Sequence, residues 1–249
     1  MTPFHLNNKT VLVTGASSGI GKQVAISISN MGGSVILTGR DAKRLEETLS
    51  LLSGETHKII DADLANSEQR THLVTAIPKL DGVVNCAGVV NPFPIKYISQ
   101  SKIDETLNIN YEIPLLLMAE ISKRNKLNKK ASVVFLSSIS GQHPHKGGVL
   151  YASSKAAIEA LSKVFALENY HLGIRSNCIS PAMVKTPMYH EAAEDMSKES
   201  MDAHVAQYPL GVGEPTDVAN AAVFLLSDAS KWITGINIVM DGGFLLEAK

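Results

Sequence analysis

Cysteine is scarce in this chain: Cys86 and Cys178 are the only two in 249 residues, each inside an apolar run. No cysteine or histidine spacing resembles a zinc site, so no metal is expected. Two isolated cysteines also predict reduced, buried thiols rather than a disulfide framework. An excess of one charge is missing too. The 23 basic and 24 acidic residues leave a formal net charge of -1, which speaks against a general nucleic-acid binder. Apolar runs of the ~18 residues needed to span a membrane are absent. Met1 to Lys9 is polar, without a basic start leading into an apolar segment, so no secretory signal is expected and the chain reads as soluble and cytoplasmic. Repeats, low-complexity tracts and Pro/Gly-rich linkers are lacking as well.

What is present is alternation. Short β-branched runs at Thr10–Val13, Ser34–Thr38, Lys58–Ile60, Gly82–Val84, Ser132–Leu136, Ile174–Ile179 and Ile236–Val239 are strand candidates. Several are apolar almost throughout, as strands of a parallel sheet covered on both faces must be. Between them run stripes of helical period: Ile20, Val24, Ile28 and Met31; Ala157, Leu161, Val164 and Phe165; Val218, Ala221, Ala222 and Leu225. Such a sequence predicts right-handed crossovers and one α/β domain over residues 1–249, with a doubly wound, Rossmann-type parallel sheet of seven strands. One segment breaks the rhythm. Thr186 to Glu214 is far longer than an ordinary connection, and is expected to carry short helices and to cover a binding site.

The first strand candidate runs into Thr14-Gly15-Ala16-Ser17-Ser18-Gly19-Ile20-Gly21 and then into a helix. Glycines at 15, 19 and 21 permit a sharp turn and close approach to a pyrophosphate, whose charge favours a helix N-terminus. The second strand ends at Thr38-Gly39-Arg40. An acidic residue at this place would read a ribose hydroxyl; here Gly39 stands there and Arg40 follows, and a guanidinium can grip a 2′-phosphate through two hydrogen bonds. NADP(H) is therefore favoured over NAD(H), the plainer account of Arg40 being a solvated loop residue. Asp41 reads as the N-cap of a helix Ala42–Leu52. Asp63 and Leu64 follow the third strand, and Asn85-Cys86-Ala87-Gly88 closes the fourth. Both sit at carboxyl ends of the sheet, where ligands of open α/β folds bind.

Tyr151 and Lys155 are four residues apart, so on a helix they share a face about 6 Å apart along the axis. An ammonium beside the phenol is expected to lower its pKa towards that of a usable base. By itself this spacing is common among surface pairs. Ser138, at the end of the fifth strand, could polarise a substrate oxygen or merely satisfy strand-end backbone, as could Ser137 or Ser140. Asn110 falls within an expected long helix with the stripe Leu107, Tyr111, Leu115 and Met118. Pro114 has no N–H for the Asn110 carbonyl, so the helix should be irregular there and the carbonyl free to hold a water.

Taken together and in order, the Thr14–Gly21 turn, Asn85-Cys86-Ala87-Gly88, Asn110, Ser138, Tyr151-x-x-x-Lys155 and Ser180-Pro181-Ala182-Met183-Val184-Lys185-Thr186 resemble the short-chain dehydrogenase/reductase family over nearly the whole chain. The overall likeness is strongest to its 3-oxoacyl-(acyl-carrier-protein) reductases. The resemblance implies a catalytic set of Asn110, Ser138, Tyr151 and Lys155: tyrosine as general acid/base, serine orienting substrate, lysine lowering the tyrosine pKa and holding the nicotinamide ribose, asparagine supporting a relay water. It implies a cofactor set of Gly15, Ser17, Ser18, Gly19, Ile20, Gly21, Arg40, Asp63, Leu64, Asn85, Ala87 and Gly88, with Tyr151 and Lys155 shared and Pro181, Val184 and Thr186 at the carboxamide. Two positions depart from the family pattern. Cys86 replaces an asparagine, and Ala182 replaces a glycine, which narrows the pocket or demands a negative φ.

The activity so implied is NADP(H)-dependent interconversion of a ketone and a secondary alcohol, on a small molecule or a 3-oxoacyl thioester. The alternatives are an NAD-dependent alcohol, hydroxysteroid or sugar dehydrogenase and, from another class, a non-catalytic NADPH sensor or scaffold. Met183, Met188, Met196 and Met201, with Tyr189 and Tyr208, form an adaptable apolar wall over the substrate or else pack beneath the lid. Glu191, Glu194, Asp195 and Glu199 disfavour a strongly anionic substrate tail there. His143 and His145 either line the entrance or are solvated, and Lys123, Arg124, Lys126, Lys129 and Lys130 are expected on a solvated face. The family's usual assemblies imply a homotetramer or homodimer, with Phe244-Leu245-Leu246 at a subunit contact.

Overall fold

The computed structural model describes residues 3–194 and 197–246, without the Ala192 side chain; Asp195 and Met196 of the expected lid lie outside the described residues. All seven expected strands are present, as β1 (Thr10–Thr14), β2 (Ser34–Thr38), β3 (Lys58–Ile59), β4 (Leu80–Asn85), β5 (Leu127–Leu136), β6 (Arg175–Pro181) and β7 (Asn237–Met240). They pair in parallel in the order β3-β2-β1-β4-β5-β6-β7. Within β1, Val11 and Val13 point into one apolar layer and Leu12 into the other. The first layer packs under α1 (Gly19–Asn30), α2 (Ala42–Leu49) and α9 (Pro215–Leu226), through residues such as Val24, Leu45 and Ala222. The second packs under α3 (Ser67–Ala76), α5 (Ile113–Lys123) and α6 (Val149–Asn169), through Leu73, Leu117 and Phe165. Both faces of the sheet are covered, which is why its strands carry little polar alternation.

Three helical expectations need correction. The helix after Asp41 ends at Leu49, not Leu52. The long helix around Asn110 is two helices, α4 (Gln100–Leu107) and α5, joined by a π turn over Asn108–Glu112 in which the Ile113 amide donates to the Asn108 carbonyl. Its buried side carries Thr106, Asn110, Ile113, Pro114, Leu117, Met118 and Ile121, while Leu107, Tyr111 and Leu115 are only part-buried. An asparagine occupies the inward position because its amide is fully bonded there, which a count of apolar residues misses. In α6, of the stripe Ala157, Leu161, Val164 and Phe165, only Phe165 is buried and Val164 is exposed. The inward face instead carries Ser154, Lys155, Glu159 and Ser162 beside Ile158 and Phe165.

The segment after β6 contains α7 (Pro187–Glu194) and α8 (Lys198–Val205). It is tied down by a parallel bridge between Val184 and Gly213 and by the Leu210 amide donating to the Gly242 carbonyl at 2.9 Å. Met201 and Tyr208 are buried beneath it, Met188 is exposed, and Phe244 stacks on Tyr208 with ring centroids 4.8 Å apart. Among the described residues no helix is long and apolar enough to cross a membrane, and no group of His, Cys, Asp and Glu could hold a metal ion.

Candidate active site

The strand order reverses between β1 and β4, so the carboxyl ends of these two neighbours open a crevice between the connections that leave in opposite directions. The Thr14 hydroxyl ties the two ends together, accepting from the amides of Cys86 (3.1 Å) and Ala87 (3.3 Å). A side chain at Gly15, whose φ is +63°, would stand 3.0 Å from the Ala87 nitrogen. One at Gly21 would stand 2.3 Å from the Gly15 carbonyl oxygen. The turn can therefore exist only with glycine at these positions. Ser18 is the N-cap of α1 and makes no side-chain cap bond, and the first turn holds no carboxylate, so its amides face the cleft without an internal anion.

The cleft has a volume of about 440 Å³. Gly15, Ser17, Ser18, Gly19, Ile20 and Gly21 line one end. Arg40, Asp63 and Leu64 line its side, Ala87 and Gly88 its floor, and Thr186 its rim. Asn85, Tyr151, Lys155, Pro181 and Val184 do not border this space. Asn85 is buried, with no hydrogen-bond partner for either side-chain polar atom, and Val184 is buried behind Thr186, whose hydroxyl donates to the Val184 carbonyl. Lining residues that the motifs did not indicate include Ala62, Ala65, Val89, Pro187 and, from the α4 side, Glu105, Asn108, Ile109 and Ile113. Cys86 also lines the cleft and is only part-buried, contrary to the expectation of two buried thiols; desolvation of the sulfur pushes both Cys86 and Cys178 up to about 12, opposed by Lys155 at Cys86 and first by Ser162 at Cys178. Asp41 caps α2 as expected, accepting from the Arg44 amide at 3.1 Å. The Asp63 carboxylate accepts from the Ala65 amide at 3.1 Å, a local turn bond at the surface.

Beyond Gly88 the cleft meets the buried polar face of α6. A side chain at Gly88 would lie 3.3 Å from Asn110 Oδ1 and 3.5 Å from Lys155 Nζ, so Asn110 and Lys155 converge on this one backbone position. The Asn110 amide is fully used: Oδ1 accepts from the Val89 amide (2.8 Å), and Nδ2 donates to the Val89 carbonyl (2.9 Å) and to Ser154 Oγ (3.2 Å). Lys155 Nζ donates to the Leu136 carbonyl at 2.8 Å and stands 5.5 Å from the Tyr151 ring centre. Burial lowers its pKa to about 8, opposed by the Cys178 and Cys86 thiols nearby. Burial raises the Tyr151 pKa, and the Ser138 side chain opposes that rise. Ser138 Oγ accepts from the Ser140 amide at 3.2 Å, across the 3-10 turn Ile139–Gly141. Ser137 bonds instead to the Lys155 carbonyl and Glu159, while the Ser138 hydroxyl has only the Ser140 amide as partner among the described residues. Ala182 takes a negative φ, since it is not among the described residues with positive φ.

A larger hollow, of about 580 Å³, lies on another flank of α6, bordered by Ala152, Ser153, Ala156 and Phe93 with His145 at its edge. Ser140 and Gly141 of the turn after Ser138 line it too, and Tyr151 and Lys155 border neither space, so this hollow and the smaller cleft lie on either side of the Ser138–Tyr151 region. Lys126, from the basic cluster, donates to the Thr75 and Ile77 carbonyls and has a structural use.

Comparison with known proteins agrees with this geometry. The family profile described as Enoyl-(Acyl carrier protein) reductase matches residues 15–245. The 3-oxoacyl-(acyl-carrier-protein) reductase of Rickettsia felis is 32% identical over 242 residues, covering 97% of this chain and 98% of that protein. A short-chain type dehydrogenase/reductase from Mycobacterium ulcerans superposes with a TM-score of 0.89 at 31% identity, covering 97% of this chain and 91% of that one. A candidate 2-deoxy-d-gluconate 3-dehydrogenase from Agrobacterium tumefaciens, solved with bound NADP, gives a TM-score of 0.89 at 25% identity, covering 99% and 100%. The positions where only glycine fits form a cradle suited to a nicotinamide dinucleotide. The chain belongs to the short-chain dehydrogenase/reductase family, oxidoreductases that act on CH–OH and ketone groups with a nicotinamide cofactor.

Proposed function

We propose that this enzyme interconverts a ketone and a secondary alcohol with NADP(H), and that its substrate is a 3-oxoacyl thioester. The observation carrying the reading is the convergence of Asn110 Oδ1 and buried Lys155 Nζ on Gly88 at the floor of the glycine-built cleft, with the Tyr151 ring centre 5.5 Å from that ammonium. Gly15, Ser17, Ser18, Gly19, Ile20 and Gly21 would hold the pyrophosphate, Arg40 the 2′-phosphate, and Asp63 with Leu64 the adenine. Asn85, Ala87 and Gly88 would run alongside, Tyr151 and Lys155 would meet the nicotinamide ribose, and Pro181, Val184 and Thr186 would meet the carboxamide. When bound, the nicotinamide supplies hydride to the carbonyl carbon or accepts it from the alcohol.

Ser138 donates to the substrate oxygen: the Ser140 amide takes one lone pair of its hydroxyl and leaves the hydroxyl hydrogen free to do so. Tyr151, kept protonated by burial, gives its proton to that oxygen in the reductive direction and takes it back in the oxidative one. Lys155 returns the proton to Tyr151. Asn110, on the π turn and with its carbonyl denied the Pro114 N–H, holds the water that resupplies Lys155. Support for a thioester is the likeness to the Rickettsia felis reductase together with a 186–214 lid that carries Met188 over the cleft. The sugar-dehydrogenase reading has the Agrobacterium tumefaciens likeness in its favour.

The test is NADPH and NADH oxidation against an acetoacetyl thioester, a keto-sugar, a steroid ketone and a simple ketone. Preferential turnover of the thioester with NADPH is expected; preference for a keto-sugar would move the assignment to the second reading, and no turnover of any carbonyl would sink both. The same reading makes the enzyme a cytoplasmic homotetramer or homodimer. Leu167 (70% exposed) on α6 and Trp232 (97%) before β7 are apolar surfaces that a second copy would cover. A monomer in light scattering would refute this part.

A further inference from the structure

Glu159 lies one turn beyond Lys155 on the same inward face of α6 and is 7% exposed. No cation pairs with it among the described residues. Its carboxyl group is satisfied by three neutral donors from three different places. Ser137 Oγ donates to Oε1 at 3.1 Å and Ser180 Oγ donates to the same oxygen at 3.3 Å, while Gln142 Nε2 donates to Oε2 at 2.8 Å. The single Ser137 hydroxyl hydrogen is shared between Glu159 Oε1 and the Lys155 carbonyl, 3.0 Å away. A side chain at Gly141 would lie 3.1 Å from Glu159 Oε1, so the turn rests directly against this carboxyl.

The arrangement is a clamp. Ser137 immediately precedes Ser138, and Gln142 closes the 3-10 turn that follows it, so Glu159 grips the Ser138 turn from both sides. Ser180 adds the end of β6, immediately before Pro181. Burying a carboxyl without a cation is costly, and apolar residues would stabilise this interface at least as well. A group kept here despite that cost is explained by the placement it enforces. Tyr151 and Lys155 are on the same helix, so a tie from Glu159 to the serine turn fixes the turn relative to both.

We infer that Glu159 is a positioning residue that sets the Ser138 hydroxyl against Tyr151 by holding Ser137, Gln142 and Ser180 to the catalytic helix. It touches neither substrate nor cofactor. The inference rests on Ser138 and Tyr151 being the reacting pair, as proposed above.

The experiment is a double-mutant cycle, assayed by NADPH oxidation on the carbonyl with the highest kcat/KM in the four-substrate screen. Glu159→Ala is expected to lower kcat about tenfold or more, since displacements near 1 Å cost that much in oriented reactions. The NADPH Kd, read by fluorescence, should stay within about threefold of wild type. Glu159→Gln should recover most of kcat, because its oxygen still accepts from both serines and the Gln142 amide can turn to accept from its nitrogen. In a Ser138→Ala background the further loss from Glu159→Ala should be less than about threefold, the signature of two residues acting as one. Equal losses from Glu159→Ala in both backgrounds would overturn the inference by showing a role unrelated to Ser138. Impaired Ser138→Ala with an unaffected Glu159→Ala would overturn it alone, whereas wild-type kcat in Ser138→Ala would overturn the site assignment beneath it. If Glu159→Ala does not fold, Gln142→Ala removes one arm of the clamp at an exposed position; a kcat loss that vanishes in the Ser138→Ala background is expected, and an unchanged kcat would count against the clamp. A crystal structure gives a readout independent of turnover: residues 138–142 should move relative to α6 in Glu159→Ala, and an unmoved turn would refute the proposal.

Discussion

At the Thr14–Gly21 turn the decisive contacts are made by main chain: the Gly15 carbonyl, the Ala87 nitrogen and the free amides at the start of α1 leave no room for side chains and carry no titratable group. At the Ser138–Tyr151 end the working atoms are side chains, with Lys155 and Asn110 buried and Tyr151 half-buried, held by polar groups from β5, α6 and the 3-10 turn. The first end is set by excluded volume. The second is set by hydrogen-bond geometry and by the cost of burying charge. The two ends should accordingly fail in different ways.

The largest effect is expected from Tyr151→Phe, which removes the transferable proton and leaves the glycine end untouched. Turnover should fall about 1,000-fold, within the range of general acid/base contributions, with the NADPH Kd nearly unchanged by fluorescence titration. A parallel loss of NADPH binding would erase the distinction between the two ends. Gly21→Ala should do the reverse. A methyl at 2.3 Å from the Gly15 oxygen forces the backbone apart, which should cost ~1–3 kcal/mol of stability in denaturant melts and weaken both NADPH and NADH. Retained affinity for both would show that the turn adapts. Arg40→Ala sharpens the comparison within the first end, being a side-chain determinant on a main-chain platform. Loss of a charge-assisted grip worth ~1.5–3 kcal/mol should weaken NADPH about 10- to 100-fold and NADH little; equal weakening of both would show that Arg40 does not select the phosphate.

A last expected effect concerns stability, and its sign is opposite to that on activity. Lys155 has a folded-state pKa near 8, below its ordinary 10.5, so folding must desolvate an ammonium at neutral pH. That penalty is present in full below pH 8 and is relieved as pH rises from about 8 to 10.5, where the unfolded chain binds more protons than the folded one. Lys155→Met should therefore stabilise the cofactor-free protein at pH 7 by up to ~3 kcal/mol, less the bond to Leu136, while abolishing turnover. In the wild-type protein stability should climb between pH 8 and 10.5 relative to that variant. A flat difference between the two across this window would contradict the buried ammonium.

These contrasts also explain what could be read beforehand. Strands buried on both faces announce themselves as β-branched runs, so all seven were legible; β5 begins at Leu127 rather than Ser132, since Leu127 pairs with Leu80 of β4 while Lys129 and Lys130 are exposed and carry no apolar signal. The glycine turn and the Tyr151–Lys155 spacing are local and were legible. Glu159 was not. Apolar periodicity on α6 pointed to Val164, which is exposed, because the face that packs on the sheet carries Ser154, Lys155, Glu159 and Ser162. The available signal was an acid at the next turn after Tyr151 and Lys155. The split of the Asn110 helix escaped for a similar reason: Pro114 announces an irregularity, but whether the helix bends, breaks or widens depends on partners such as Val89, 21 residues away in sequence.

The π turn at Asn108–Glu112 is in effect a helix carrying one residue too many. Deleting Ile109 would restore regular winding and turn α4 about 100° relative to α5, straining the joint at which Asn110 meets the Val89 amide and the space beside Gly88. Helical regularity and a furnished site are therefore alternatives at this position, and a variant selected only for thermal resistance would be expected to find the first at the expense of the second.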